Sequence, residues 1–399
     1  MQFPRENNIL TYSFIGMLTT IVVLAFARLS YGVVLPFMRD GLQITYKEAG
    51  FLGTTTSLGY LCTIMFAGVC ASKWGGKNTV LLGISLVSLG LIGLAFTPTY
   101  WVTFLFMILL GVGTSFTYTP LISLLVAWFP EQKGLVIGLT TSGVGIGILF
   151  TGIIVPYLND VFLGSGWRIS WGLFAIISLV VGLLTFLFIK NPPIMLASEK
   201  DEQASSPSEV YKNKDVINVG LIYGVIGVAY IVQMIFIMSF MIDSGVSVAL
   251  AGQLIALNGI LSIFSGPIWG FISDKIGRRS SLILTMGITL FAILLPVFSP
   301  TLIWFIIHIV ILSCTLTGLF TLVQASSMDH VKPADMPLAF SYATFYFAIG
   351  QFVGPTIAGW LIDDYGGFRS AFLFSAVCLV FGLLLTFKVK GKSTLVSTN

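Results

Sequence analysis

Residues 270–279 read Gly-Phe-Ile-Ser-Asp-Lys-Ile-Gly-Arg-Arg, and 202 positions earlier residues 68–77 read Gly-Val-Cys-Ala-Ser-Lys-Trp-Gly-Gly-Lys. Each decapeptide is a basic turn between two long apolar stretches. The same 202-residue slide sets Ala49-Gly50 on Ala251-Gly252, Gly68 on Gly270, Lys73 on Lys275, Gly75 on Gly277 and Lys77 on Arg279 without a gap. Further on, Gly166-Trp-Arg168 meets Gly367-Phe-Arg369 at a slide of 201. A parallel duplication of apolar segments is the pattern of a transporter, because two similar helix bundles can rock about a site at their interface.

The composition demands lipid as the solvent. Of 399 residues, 56% are apolar and 9% charged, with mean hydropathy +0.98 and 33 Phe, against ~25% charged in an ordinary soluble domain. A spanning helix needs ~20 apolar residues. Such stretches fall at 11–38, 49–72, 79–97, 101–129, 134–157, 169–189, 216–242, 248–273, 281–298, 302–325, 338–361 and 370–388. The expected fold is therefore an all-α integral membrane protein of twelve transmembrane helices in two six-helix bundles related by the repeat. Residues 1–189 form the first bundle and 216–399 the second. Residues 190–215 between them, rich in charge, Ser and Pro, read as a cytoplasmic linker that can carry a surface helix.

Basic residues are retained on the cytoplasmic side. With the N-terminus inside, that side holds Arg5, Lys73, Lys77, Lys133, Lys190, Lys200, Lys212, Lys214, Lys275, Arg278, Arg279, Lys332, Lys388, Lys390 and Lys392, and the other side only Arg39, Lys47, Arg168 and Arg369. Both termini are expected in the cytoplasm and the protein in the cell membrane. The Ala25-Phe26-Ala27 triplet mimics a signal-peptidase site, but the apolar stretch resumes after Arg28 and runs to Pro36, as in a retained first span. Cys62, Cys70, Cys314 and Cys378 lie inside apolar runs without metal or disulfide spacing, and behave as small hydrophobes. A net charge of +4 is too small and scattered for a nucleic-acid surface.

The 270–279 turn fits the G-x-x-x-D-[RK]-x-G-[RK]-[RK] loop of the major facilitator superfamily, which the chain resembles along nearly its whole length. The resemblance implies that this loop gates conformational change, which assigns Gly270, Asp274, Lys275, Gly277, Arg278 and Arg279 to gating. Its glycines suit a tight turn and close helix approach, and Asp274 suits a helix N-terminus. The first-half loop departs from the pattern with Ser72 in the acidic position. Gly350, Gly354, Pro355 and Gly359 of span 11 resemble the family's G-x-x-x-G-P motif and read as helix packing. In drug/proton antiporters that motif lies in span 5; here span 5 carries Gly143, Gly145, Gly147 and Gly152 without a Gly-Pro.

Arg28 is the one formally charged side chain deep within an apolar stretch, where arginine costs ~2.5–3.5 kcal/mol on the lenient insertion scale. It lies ~13 Å from the far end of its span, beyond easy snorkelling. A permanent guanidinium there suits carboxylate, phosphate or sulfonate. By resemblance, spans 1, 4, 7 and 10 line the path, giving Arg28, Tyr31, Tyr118, Tyr230, Gln233 and Gln324 as substrate-binding candidates. The repeat pairs Arg28 with Tyr230 and Tyr31 with Gln233. No Asp or Glu lies mid-span, so the remaining proton-coupling candidate is His308 of span 10.

The chain is similar in style to bacterial organic-anion carriers, including monocarboxylate and oxalate/formate types. Where those place a charge in span 8 or 11, this sequence offers Gln253, Asn258 and Gln351. The expected function is secondary transport of a small organic anion by alternating access, with proton symport, anion exchange and uniport left open. The alternatives are a multidrug or hydrophobic-compound exporter of the same superfamily and a non-transporting membrane sensor. An enzyme is disfavoured: His308 and His330 are the only histidines, and neither sits in a metal or nucleophile motif. The expected partners are the lipid bilayer, an anionic small molecule and protons. Neither a cofactor nor a metal is expected, and a monomer is the default of this architecture.

Overall fold

A computed structural model describes residues 7–129, 132–191, 207–329, 331 and 335–389. Arg5, Lys200, His330, Lys332, Lys390, Lys392 and linker residues 192–206 lie outside the described residues, as does the side chain of Ser72. The described chain is all helical, with twelve helices long and apolar enough to cross a membrane. Span 1 is built of three segments, an α-helix Asn7–Thr20, a π-helix Ile21–Leu29 and an α-helix Tyr31–Leu42. Spans 2 to 4 are Tyr46–Trp74, Gly76–Phe96 and Tyr100–Trp128; span 5 is Lys133–Thr141 with Gly143–Val161; span 6 is Gly166–Phe188. A short helix, Pro207–Lys212, precedes span 7. Spans 7 to 12 are Lys214–Asp243, Val248–Ile276, Arg278–Phe298, Leu302–Met328, Met336–Asp364 and Gly367–Thr386.

The duplication is written into the backbone. Spans 2 and 8, and likewise spans 3 and 9, begin and end 202 residues apart. The left-handed turns fall in the same register: Gln43 with Gly245, Gly75 with Gly277, and Gly164 with Gly366 all have positive φ. Gly75 (φ 86°) and Gly277 (φ 85°) terminate spans 2 and 8, in a backbone region that side chains with a Cβ rarely adopt. Two spans break the repeat: span 5 divides at Ser142 where span 11 is one helix, and span 1 carries the π-helix. The counterpart of the π-helix, around Tyr223–Ile231 of span 7, is ordinary α-helix.

The chain separates into two compact units: one holds the described residues of 1–198 together with Ile235–Ile260, the other those of 199–234 and 261–399. Within the first, Trp167, Trp171, Phe174 and Phe26 are fully buried, and Phe26 stacks on Phe174 at 4.4 Å. Glycines let backbones meet there. A Cβ on Gly147 would run into Ala25, and one on Gly259 into the Gly145 carbonyl at 2.5 Å. A Cβ on Gly152 would lie 2.6 Å from the Ala256 amide. The span 5 glycines thus seat that helix on span 1 with one face and on the Ile235–Ile260 segment with the other.

In the second unit Ile222, Ile226, Leu282, Met286, Leu319 and Leu379 centre the core. Hydroxyl pairs cross between helices in both units, Ser88 to Ser178 at 2.7 Å and Thr289 to Thr315 at 3.1 Å, because apolar contact alone gives no preference for protein over lipid. Large apolar side chains such as Leu183, Phe186, Phe381 and Leu384 are exposed, as a lipid-facing belt requires.

Candidate functional site

The geometry around Arg28 begins with its backbone. The π-helical stretch ends with the Ser30 amide donating to the Ala25 carbonyl, five residues back, at 2.7 Å. Two neighbours pin it: the Thr114 hydroxyl of span 4 donates to the Val23 carbonyl at 2.9 Å, and Gly147 of span 5 closes on Ala25. A π-helical turn carries an extra residue, so it resets which side chains share a face, and such turns concentrate at functional sites. On the reset face, Arg28 Nη2 donates to Ser57 Oγ at 3.4 Å, and its guanidinium lies 4.9 Å from the centroid of the Tyr60 ring. Arg28, Ser57 and Tyr60 make one polar cluster inside the first unit, with Arg28 half-buried, and Tyr118 lies on span 4 of the same unit.

Ser57 and Tyr60 are absent from the residues expected on sequence. Their three-residue spacing puts both on one face of span 2, but nothing in the sequence says that this face meets Arg28. Tyr31, an expected substrate contact, is fully buried, and its hydroxyl donates to the Ala49 carbonyl at 2.7 Å. The structure therefore uses it to clasp span 1 to the start of span 2. A cavity of about 700 Å³ opens elsewhere in this unit, lined by Asp40, Asp160, Tyr157, Trp167 and Gln253 among others. None of the expected substrate residues borders it.

In the second unit Tyr230 packs edge-on to Phe320 at 4.9 Å. Tyr223 stacks on Phe347 at 4.4 Å, and the Gln324 amide donates to the Tyr223 hydroxyl at 2.9 Å. Gln233 is buried, and its amide has no hydrogen-bond partner among the described residues. His308 is fully buried, with Nδ1 2.7 Å from the Ala292 carbonyl of span 9 and Phe372 of span 12 beside its ring. It lies ~18 Å along span 10 from Phe320. Its contact joins span 10 to span 9 at the Ala292 carbonyl. His308→Ala is expected to lower the melting temperature while leaving the pH dependence of uptake in vesicles as in the unaltered protein.

The 270–279 turn is held by an ion pair of Arg278. Asp274 is exposed in the last turn of span 8, not at a helix N-terminus, and makes no ion pair among the described residues. The carboxylate partner of Arg278 is Asp329 at the end of span 10, 3.2 Å away, and the same guanidinium donates to Ser273 at 2.8 Å. Lys275 rests on the Phe271 ring, 4.4 Å from its centroid, and Arg279 is exposed. Gly270 has open space where a Cβ would go, so it serves no close approach here. Among the described residues the first-half counterpart is fastened by the Lys77 amide donating to Asn191 and its ammonium to the Phe186 carbonyl, 2.8 and 2.7 Å. Loss of the half-buried Arg278 pair by Asp329→Asn is expected to cost ~1–3 kcal/mol. Asp274→Asn should leave the melting temperature unchanged, and the Arg278→Asp/Asp329→Arg exchange should recover part of the loss.

Gly350 and Gly354 face span 7. A Cβ on Gly350 would run into the Gly224 carbonyl and lie 2.9 Å from the Val228 amide, and one on Gly354 would sit 3.0 Å from Ile231. Pro355 lies within the helix and Gly359 is buried.

Twelve apolar helices, a 202-residue backbone repeat and a half-buried cation with aromatic company define a twelve-span secondary transporter of the major facilitator fold. The chain belongs to the family described as "Uncharacterised MFS-type transporter YbfB", which matches residues 20–387. Among curated relatives, it is 26% identical to the hexuronate transporter of Bacillus subtilis (strain 168), over 90% of this chain and 89% of that protein. It is 24% identical to the multidrug resistance protein MdtG of Proteus mirabilis (strain HI4320), covering 89% and 90%. Among solved structures, a bacterial homolog of the human lysosomal transporter Spinster superimposes with TM-score 0.82 at 17% identity, covering 96% of both chains. The protein is therefore a multi-pass membrane transporter of a small molecule, not an enzyme.

Proposed function

We propose that this transporter carries a small organic anion bearing a carboxylate, with Arg28 as its anchoring cation. The observation that carries the reading is the Arg28 cluster. A π-helical turn specific to the first half presents a guanidinium to Ser57 and Tyr60, an arrangement that orients the charge, and the planar fork of a guanidinium matches a carboxylate. The hexuronate transporter relative, named for a carboxylate cargo, supports the same class. Tyr118 completes the pocket wall in this proposal, while Tyr230 and Gln324 serve the second half of the path and Gln233 supplies an amide with unspent donors and acceptor. In this reading both termini face the cytoplasm, which the distribution of basic residues supports.

A second reading, export of lipophilic compounds, is favoured by the aromatic group Tyr223, Tyr230, Phe320 and Phe347 and by the MdtG relative. One experiment separates the two: thermal stabilisation of the detergent-purified protein and of Arg28→Gln by glucuronate, lactate, benzoate and lipophilic cations. A ligand at 100 times its dissociation constant adds ~2.7 kcal/mol. Stabilisation of the unaltered protein alone by a carboxylate supports the anion carrier; equal stabilisation of both proteins by cations sinks it in favour of export.

A further inference from the structure

We infer that the cavity lined by Asp40, Asp160 and Trp167 binds a zwitterionic headgroup, a phosphate carrying a primary ammonium two carbons away, and that phosphatidylethanolamine of the bilayer supplies it. The inference does not depend on the reading of Arg28. Every wall of the cavity belongs to the first unit: the ends of spans 1 and 5 and the starts of spans 6 and 8. It therefore lies at the end of the spans away from the basic 270–279 turn that closes span 8. Its volume of about 700 Å³ falls within the ~300–1,000 Å³ of small-molecule sites.

Two kinds of polar group meet there. Asp40 and Asp160 supply carboxylates, and no Lys or Arg stands among the described residues of the wall. Asp40 is paired with Arg39 at 2.7 Å, whereas Asp160 makes no ion pair among the described residues, so Asp160 is the acceptor left for a cation. The second kind is donors. Trp167 is 1% exposed, and its indole N–H has no hydrogen-bond partner among the described residues. Its Nε1 faces Gly41, where a Cβ would run into it; glycine thus keeps the space before the N–H clear. Val248 and Ala249 open span 8, and the first amides of a helix have no carbonyl of their own helix to bond and favour negative charge. A buried donor without an acceptor is unfavourable, so the indole N–H calls for one.

A ligand carrying both signs suits these groups. A metal cation would satisfy the carboxylates but not the indole N–H, which is a donor only. A simple anion would satisfy the N–H and the helix end but meet Asp160. A phosphate with an ammonium answers both, and a primary ammonium, unlike a quaternary one, donates hydrogen bonds to a carboxylate. The depth of the cavity points to the bilayer as the source. It runs from Gly152 to Asp160, ~12 Å along span 5, past the apolar and aromatic side chains of Ile153, Pro156 and Tyr157. Ile153 and Leu163 are 52% and 86% exposed, as lipid contacts are. A phospholipid lays its glycerol and acyl chains along such a wall with its headgroup at the charged rim, whereas a free metabolite leaves the wall unused.

The test is native mass spectrometry of the full-length protein in detergent, titrated with phosphatidylethanolamine, phosphatidylcholine and phosphatidylglycerol of the same acyl chains. Phosphatidylethanolamine is expected to bind about tenfold more tightly than either, as one charge-assisted hydrogen bond provides. Asp160→Asn should lose that preference. Trp167→Phe, which keeps an aromatic ring and removes the N–H, should weaken phosphatidylethanolamine about threefold to tenfold. Asp364→Asn, at an exposed carboxylate that ends span 11, should keep the preference. Equal binding of the three lipids, or a preference that survives Asp160→Asn, would overturn the site. Soluble phosphoethanolamine that displaces the lipid at comparable concentration would overturn the bilayer as the source while the zwitterion site stands. Stabilisation by magnesium or calcium that disappears in Asp160→Asn, without any headgroup preference, would overturn the proposal in favour of a metal site. Asp160 is exposed, so its variant is expected to fold; if Trp167→Phe does not, Asp160→Asn and the headgroup series decide.

Discussion

Arg28→Gln is expected to leave a folded protein whose affinity for its anion has fallen by ~100-fold or more, with uptake at background. The size follows from what is removed. A charge-assisted hydrogen bond to a charged group contributes ~1.5–3 kcal/mol, and a carboxylate left in the membrane without its counter-charge loses more than one such bond. Each 1.4 kcal/mol is about tenfold in affinity. Folding should not suffer, because glutamine removes an intramembrane charge and can still donate toward the Ser57 hydroxyl that Arg28 reaches at 3.4 Å. Arg28→Lys keeps the charge but not the planar fork, and should retain weaker binding. Tyr60→Leu, which removes the ring under the guanidinium, should cost ~0.5–2 kcal/mol of binding. Isothermal calorimetry with the stabilising carboxylate reads all three. Unchanged affinity in Arg28→Gln would reduce the π-helical cluster to a structural device.

The second large effect contrasts two glycines from motifs that look alike in sequence. Gly350→Val should destabilise the protein by ~1–3 kcal/mol or abolish its folding, and Gly350→Ala should do so to a lesser degree. The obstacle is the backbone of span 7 at Gly224 and Val228, which cannot rotate aside as a side chain can. Gly270→Ala should be neutral to within ~0.5 kcal/mol, because nothing lies within 4 Å of its Cβ position. Gly277→Ala falls between them, paying ~1–2 kcal/mol for the left-handed backbone. Melting curves in detergent order the three. A Gly350→Val protein as stable as the unaltered chain would mean that spans 7 and 11 are not held backbone to backbone.

The amino-acid sequence by itself determined the number of spans, the register of the duplication and the place of the basic turns. Each rests on a local quantity: the length of an apolar run, a charge that lipid excludes, or a glycine that a left-handed turn requires, as at Gly75 and Gly277. It also singled out Arg28, since a charge inside a span is costly whatever surrounds it. What stands opposite each residue was decided by the tertiary structure. Ser57 and Tyr60 acquired their meaning from facing Arg28 across two helices, and the π-helix that aims Arg28 is pinned by Thr114, 91 residues from its partner Val23. Tyr31 was spoken for by the Ala49 carbonyl, and Arg278 found Asp329, 51 residues away. Gly350 and Gly270 parted company for the same reason. A side chain's chemistry is carried along the chain, but its partner is set by helix packing, which brings together residues whose separation in sequence holds no record of the contact.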